Sequence, residues 1–358
     1  MKIGILTFPG SPSHGAALQM FALYRVLCKQ GHDVEIINYI PDSVNHKQKR
    51  ERNLRSVAVD CVSRLFVKSS KPAFEEFEEQ MRKYPISALS ETNQLQKIAK
   101  RYDRIIVGSD QVWNPAVTGN DMNYYLAFSD NSKQKASYAP SFGMSDVLLS
   151  DRVQISTLLS DFAYLSAREV RGAEIIQDLI GKDVPVVLDP TMLVQREIWK
   201  RLENKVKIPE GKYVLYYAIK PSENLKSFAQ QFADKLDIQL ITIGGRLREY
   251  IDRKTHPVSG IGPKEFLWLI DNADYVVTNS FHGTAFSIIM QKNFYVEYSS
   301  DTNSRLINIV DTFHLPDCVI DEKTLKDPPV KINYSVVSNI LKERQDFSLV
   351  YLKNVVSK

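Results

Sequence analysis

The 358-residue sequence is poor in cysteine: Cys28, Cys61 and Cys318 are its three, widely spaced and without a CxxC or Cys/His grouping. That excludes a disulfide framework and a structural zinc site, and fits a reducing cytosol. Long apolar runs are missing as well, since none approaches the ~20 residues that span a bilayer. The apolar opening stretch Met1 to Phe8 stops at Pro9-Gly10, one strand's length and too short for a signal-peptide core, so a cytoplasmic chain is expected. Charge of one sign is lacking too. Lys and Arg number 46 against 42 Asp and Glu, and the net charge of +4 is far from the concentrated field of a dedicated nucleic-acid binder. Neither repeats nor low-complexity tracts occur.

What the sequence does have is material for a large core: 44% hydrophobic, 10% aromatic and 25% charged residues. Its length suits two domains of ~150–200 residues each. The opening KIGILTF, the amphipathic stretch Gly15 to Gln30 ending at Gly31, and VEIINY (34–39) read as a βαβ unit. Further strands are expected at 104–110, 136–141, 162–168 and 184–190. The segment from about 45 to 85 breaks the alternation and reads as a helical insertion, basic first (KQKRERNLR) and then acidic (FEEFEEQMRKY). A second α/β pattern follows, with strands at 213–219, 238–245, 275–280 and 294–298 and helices between them. The expected domains are 1–195, carrying the insertion, and 196–334, with a C-terminal helix 335–358 that crosses back to the first.

In open parallel sheets ligands bind beyond the C-terminal ends of the strands. Four such ends carry polar groups here. After the first strand, Gly10, Ser11, His14 and Gly15 can bring backbone close to an anion, or can simply form a turn with a Ser cap. After the strand at 104–110, Ser109, Asp110, Gln111, Trp113 and Asn114 suit sugar recognition, with Asp110 placed to take a hydroxyl proton. The plainer reading is a helix cap with Trp113 in the core. Arg168, at the third strand end, can grip a carboxylate or phosphate with its planar fork, or can form an internal ion pair with Asp189 or Glu169. The fourth cluster is VVTNSFHGTAF, where Asn279 and Ser280 end a strand and His282, Gly283 and Thr284 open a helix, setting an imidazole where first-turn N–H groups favour anions. The basic residues between Lys47 and Lys71 can face an anionic membrane, though a solvated helical face explains them as well. Gly244-Gly245-Arg246 lacks a dinucleotide or Walker fingerprint.

An ordered set of motifs resembles the polysaccharide pyruvyl transferase family: GAALQMFAL (15–23), VGSDQVWNP (107–115), SYAPSFG (137–143), SAREVRG (166–172), VLDPTML (187–193) and TNSFHGTAFSIIM (278–290). The resemblance implies an α/β fold of two Rossmann-like domains facing a cleft, similar to the GT-B glycosyltransferase architecture. It also implies a reaction, in which pyruvate passes from phosphoenolpyruvate to two hydroxyls of a sugar in a polysaccharide or lipid-linked oligosaccharide. A cyclic ketal forms, and neither cofactor nor metal is required. On that footing Arg168 and His282 are the groups expected to meet the donor's charges, Asp110 is the base, and His282 is the acid or phosphate-stabilising group. Peripheral membrane contact through 47–71 is one expectation and nucleic acid is not a partner. Two other readings stand beside this one. A glycosyltransferase of the same fold would use a nucleotide sugar near Gly244, Gly245 and the Pro263-Lys264-Glu265 loop, and a non-catalytic glycan-binding or scaffold protein would keep the fold alone.

Overall fold

The computed structural model describes residues 1–39, 41, 70–80, 86–87, 92–244, 255–298, 303–320 and 329–357. The chain divides into two compact units. Unit 1 comprises Met1–Asn53, Glu78–Val194 and Lys342–Lys358, and unit 2 comprises Leu54–Phe77 and Gln195–Leu341.

Unit 1 holds a four-stranded parallel sheet in the order β2-β1-β3-β4, with β1 Lys2–Leu6, β2 Asp33–Ile36, β3 Arg104–Asp110 and β4 Lys135–Pro140. β1, β3 and β4 are buried on both faces, as runs such as IGIL and IIVGS require when helices cover a parallel sheet. The first helix, α1 (His14–Lys29), starts at Ser13, whose hydroxyl accepts from the Ala16 N–H. On the far side lie α2 (Arg152–Ser160) and α3 (Val170–Ile180), packed on a core that contains Trp113, Tyr125, Phe142 and Phe162.

Two expected strands of this unit are not strands. Segments 162–168 and 184–190 run alongside the sheet with single bridges, Ala136 to Tyr164 and Ala167 to Val186. Phe162, Leu165, Ala167, Val187 and Leu188 are buried, but the backbone bonds of these segments are dispersed over bridges and turns, a distinction that hydropathy does not carry. Of the expected insertion, residues 42–69 and 81–85 lie outside the described residues, as does Cys61. Residues 70–80 are helical. Ala73 of this stretch packs against Gly262, and Glu76 pairs with the Lys264 ammonium at 2.7 Å, so the segment up to Phe77 belongs to unit 2 and not to the first unit.

Unit 2 repeats the architecture with five parallel strands in the order β7-β6-β5-β8-β9: β5 Tyr213–Tyr217, β6 Gln239–Ile243, β7 Thr255–Val258, β8 Tyr275–Thr278 and β9 Asn293–Val296. The edge strand β7, with a proline in it, had no counterpart in the expected elements. Helices α4 (Arg196–Leu202), α5 (Glu223–Leu236), α6 (Pro263–Asn272), α7 (Phe281–Ile289) and α8 (Asn303–Thr312) accompany the sheet. Phe228, Phe232 and Tyr295 form an aromatic cluster between α5 and the strands. The last helix, α9 (Tyr334–Val355), passes from unit 2 into unit 1, where Leu188 N–H donates to Ser348 Oγ and Tyr351 OH to Ser137 O.

Candidate functional site

Each sheet reverses its strand order once, between β1 and β3 in unit 1 and between β5 and β8 in unit 2. Loops leave such a switch point in opposite directions and open a crevice at the strands' C-terminal ends. The two richest polar clusters occupy these two positions.

In unit 1 the loops after β1 and β3 are tied together. Thr7 Oγ1 donates to Ser109 O at 3.2 Å and accepts from Gln19 Nε2 at 2.8 Å. Gln19, a polar residue on the buried stripe of α1, escaped the sequence reading although its place on that stripe was its signal. Just past Ser109 the chain turns left-handed at Asp110, with φ of 71°, an uncommon conformation for a residue with a side chain. The turn lifts the carboxylate out of the sheet and leaves it 13% exposed. The Gln111 N–H donates to its Oδ1 at 2.8 Å.

Behind Asp110 sits Arg168, 1% exposed, in a ring of three carboxylates. Its guanidinium donates to Asp189 Oδ2 at 3.1 Å and lies 3.7 Å from Asp110 Oδ1 and 3.8 Å from Glu169 Oε2. Those partners are themselves held: Ser109 Oγ donates to Asp189 Oδ2 at 2.8 Å, Thr191 binds Asp189 Oδ1 through both N–H and hydroxyl, and Ser141 Oγ donates to Glu169 Oε1 at 2.7 Å. Both internal ion pairs foreseen for Arg168 are therefore present, with Asp110 as a third neighbour. The plainer reading of Arg168, an internal ion pair, is present, and its guanidinium is shared among carboxylates of unit 1.

The remaining residues of this cluster are mostly structural. Trp113 is buried, stacks on Tyr125 with centroids 5.4 Å apart and donates its Nε1–H to Tyr124 O, so it belongs to the core and not to a sugar platform. Asn114 caps the short helix Pro115–Thr118 and donates to Gln111 Oε1 at 2.7 Å. Gly143 lies against this pair: a Cβ there would stand 2.3 Å from Gln111 Oε1, and its φ is +62°. His14 and Gly15 open α1 and are buried, while Gly10 is exposed and Ser11 partly so.

In unit 2, Asn279 joins the loops on either side of the switch point. Its Oδ1 accepts from Ile219 N–H at 3.0 Å and its Nδ2 donates to Lys220 O at 2.8 Å. Ser280 caps α7, accepting from the Gly283 N–H at 3.1 Å, and Thr284 Oγ1 donates back to Ser280 O. Gly283 is required by proximity, because a Cβ would fall 2.5 Å from Thr278 Oγ1. Tyr217 O accepts from that hydroxyl at 2.6 Å. His282 is the second residue of α7 and stands edge-on to Phe281. The first turn carries no acidic residue, so the positive end of the helix is uncompensated by a carboxylate of its own.

Other expected loops are spent internally or lie elsewhere. Glu265 Oε2 accepts from Gly262 N–H and Lys264 is paired with Glu76. Gly244 ends β6 with φ of 71°, and Gly245 and Arg246 fall outside the described residues. Of the basic stretch, Lys71 is described and lies 3.4 Å from Glu75, one helical turn on. Among the described residues no three or more His, Cys, Asp or Glu are placed to hold a metal ion, and no helix is long and apolar enough to cross a membrane.

A family model described as polysaccharide pyruvyl transferase matches residues 14–301. No curated protein matches the chain in sequence. Among solved structures, the chain is similar to UDP-GlcNAc 2-epimerase from Neisseria meningitidis bound to UDP-GlcNAc, with 12% identity, TM-score 0.53, and coverage of 100% of this chain and 95% of that one. A putative UDP-N-acetylglucosamine 2-epimerase from Listeria monocytogenes aligns with 12% identity, TM-score 0.52, and coverage of 99% and 89%. The corresponding epimerase from Methanocaldococcus jannaschii aligns with 13% identity, TM-score 0.50, and coverage of 96% and 92%. At these identities the likeness is one of fold, a GT-B-like pair of parallel-sheet α/β units.

Proposed function

Because this chain belongs to the polysaccharide pyruvyl transferase family and is a transferase, we propose that it moves a pyruvyl group from phosphoenolpyruvate to two hydroxyls of a glycan sugar, forming a cyclic ketal and releasing phosphate. The observation that carries this reading is the family match itself, which spans both switch-point clusters from His14 to beyond Thr284. The reaction adds one sugar hydroxyl to C2 of the enol while C3 takes a proton to become a methyl group. The second hydroxyl then replaces phosphate at C2. Of the two hydroxyl protons, one is balanced by the methyl group and the other leaves with phosphate.

In this reading Asp110 is the base for a sugar hydroxyl. Its support is the left-handed turn that presents the carboxylate at a strand end, with the guanidinium of Arg168 3.7 Å behind it. Arg168 acts through Asp110 as a positioning residue. The donor, with its phosphate and carboxylate, is assigned to unit 2, where the N-terminus of α7 favours an anion. His282 is assigned to hydrogen-bond or protonate the departing phosphate.

The test is mass spectrometry of candidate acceptor glycans incubated with the protein and phosphoenolpyruvate, together with assay of released phosphate. A gain of one pyruvyl ketal per acceptor, matched by phosphate, is expected. Nucleotide-sugar turnover with no use of phosphoenolpyruvate would replace this reading with the glycosyltransferase one. Asp110→Asn and His282→Gln are each expected to lower kcat by about 10²–10⁴-fold, a loss larger than any accompanying shift in thermal unfolding explains.

A further inference from the structure

We propose that unit 1 carries a second binding site, a groove between the end of α1 and the last turns of α9, and that it takes an anionic amphiphile: a single alkyl or prenyl chain ending in a phosphate or carboxylate. The groove has a volume of about 840 Å³, in the range of small-molecule sites. Val26, Leu193, Leu349, Val350 and Val356 make its walls predominantly apolar. Val350 is 60% exposed, and Phe347, one helical turn before Tyr351, is also exposed, so the apolar surface continues along α9 beyond the groove.

Charge fixes the sign of the occupant. Lys29 and Lys353 line the groove, both exposed, and neither forms an ion pair among the described residues. The one acid of the lining, Asp346, is already engaged by Lys342 at 2.5 Å. Burial holds His32 below its ordinary value, so its imidazole adds no opposing or reinforcing charge near neutrality. Two lysines over an apolar wall match a chain with an anionic head, because the methylene stems extend the wall while the ammonium groups meet the head.

The groove is separate from the catalytic proposal. The end of α1 and His32 precede β2 and lie at the N-terminal edge of the sheet, whereas Asp110 ends β3 at the opposite edge. Loss of amphiphile binding therefore leaves the pyruvyl transfer reading standing, and the reverse holds too.

The experiment titrates the full chain with dodecyl phosphate below its micellar concentration by isothermal calorimetry. Dodecanol, dodecyltrimethylammonium and inorganic phosphate serve as separate arms. Saturable one-to-one binding is expected for dodecyl phosphate, at least about tenfold weaker for dodecanol and for inorganic phosphate, and absent for the cationic amphiphile. Lys29→Glu with Lys353→Glu is expected to weaken dodecyl phosphate binding by about tenfold or more, and Val350→Asp to weaken it independently. All three positions are exposed, so the thermal unfolding curves are expected to coincide with that of the parent chain. Binding that ignores all these substitutions, equal binding of all amphiphiles, or binding of inorganic phosphate as tight as that of dodecyl phosphate would overturn the proposal. So would a concentration-dependent dimer that the same substitutions dissolve, since the groove would then be covered by a second copy.

Discussion

Around Arg168 three carboxylates share one guanidinium, and the arrangement is bound to be sensitive to any change at its centre. Arg168→Met leaves Asp110, Asp189 and Glu169 without their cation and is expected to destabilise unit 1 by about 3–5 kcal/mol in denaturant unfolding. Arg168→Lys keeps the charge but not the planar fork, and is expected to fold. If Arg168 serves as a positioning residue for Asp110, that variant lowers kcat and alters its pH profile while KM for phosphoenolpyruvate stays near the parent value. A rise in that KM alone would instead place Arg168 on the donor. At Gly143 both the left-handed backbone and the absent Cβ are needed. Gly143→Ala is expected to cost about 1–3 kcal/mol in the same measurement.

A second residue-scale case concerns pH. Burial, followed by the charge of Asp271, pushes the Glu203 carboxyl up to about 7. Its Oε1 is buried without a hydrogen-bond partner among the described residues. The folded chain binds this proton more tightly than the unfolded chain, so Glu203 costs stability as pH rises from the ordinary glutamate range through about 7, and the cost is complete above that. Glu203→Gln removes the titration. Its melting temperature is expected to gain on the parent's as pH goes from 5 to 8, and a constant difference across that range would count against the assignment.

Among the elements, α7 is held at its start by Ser280, and the same residue shapes the turn that carries His282. Ser280→Ala removes the cap and is expected to cost about 1 kcal/mol of stability. Because first-turn geometry at His282 loosens with it, a loss of activity greater than the stability change explains is also expected if His282 acts on the donor. Much of this element was legible in the sequence: an apolar strand ending in Thr-Asn-Ser, then His-Gly-Thr, could only be a strand-to-helix turn. The segments at 162–168 and 184–190 were not legible in the same way. Their residues are as apolar as those of β4, but whether a buried segment joins the ladder depends on hydrogen-bond partners supplied by distant chain, and local pattern contains no record of them.

For the whole molecule, the chain passes between the two units more than once, and its last return to unit 1 is through the end of α9. The returning residues are structural: Gln345 Nε2 donates to Met192 O, Arg344 to Val186 O, and Ser348 and Tyr351 make the bonds described above. Removing residues 342–358 is expected to destabilise unit 1 selectively. In differential scanning calorimetry one transition should fall or vanish while the other is retained. A uniform shift of a single transition would show instead that the chain unfolds as one cooperative body.

The sequence by itself determined the two parallel-sheet halves, the helix starts and the strand ends at which chemistry collects, because periodicity, caps and turn residues are local and act over one or two turns. It also placed Asp110 and His282 at such ends. Only the tertiary structure decided what those neighbourhoods contain. Arg168 could have faced a ligand or a carboxylate as far as its own segment was concerned; it faces Asp189, Glu169 and Asp110, brought to it by loops up to 58 residues away in sequence, Asp110 to Arg168. Trp113 likewise became core because Tyr125, Phe142 and Phe162 close around it. The physical reason is common to both cases: burial and charge pairing are properties of a three-dimensional neighbourhood, and that neighbourhood is assembled by long-range packing that no short stretch of sequence encodes.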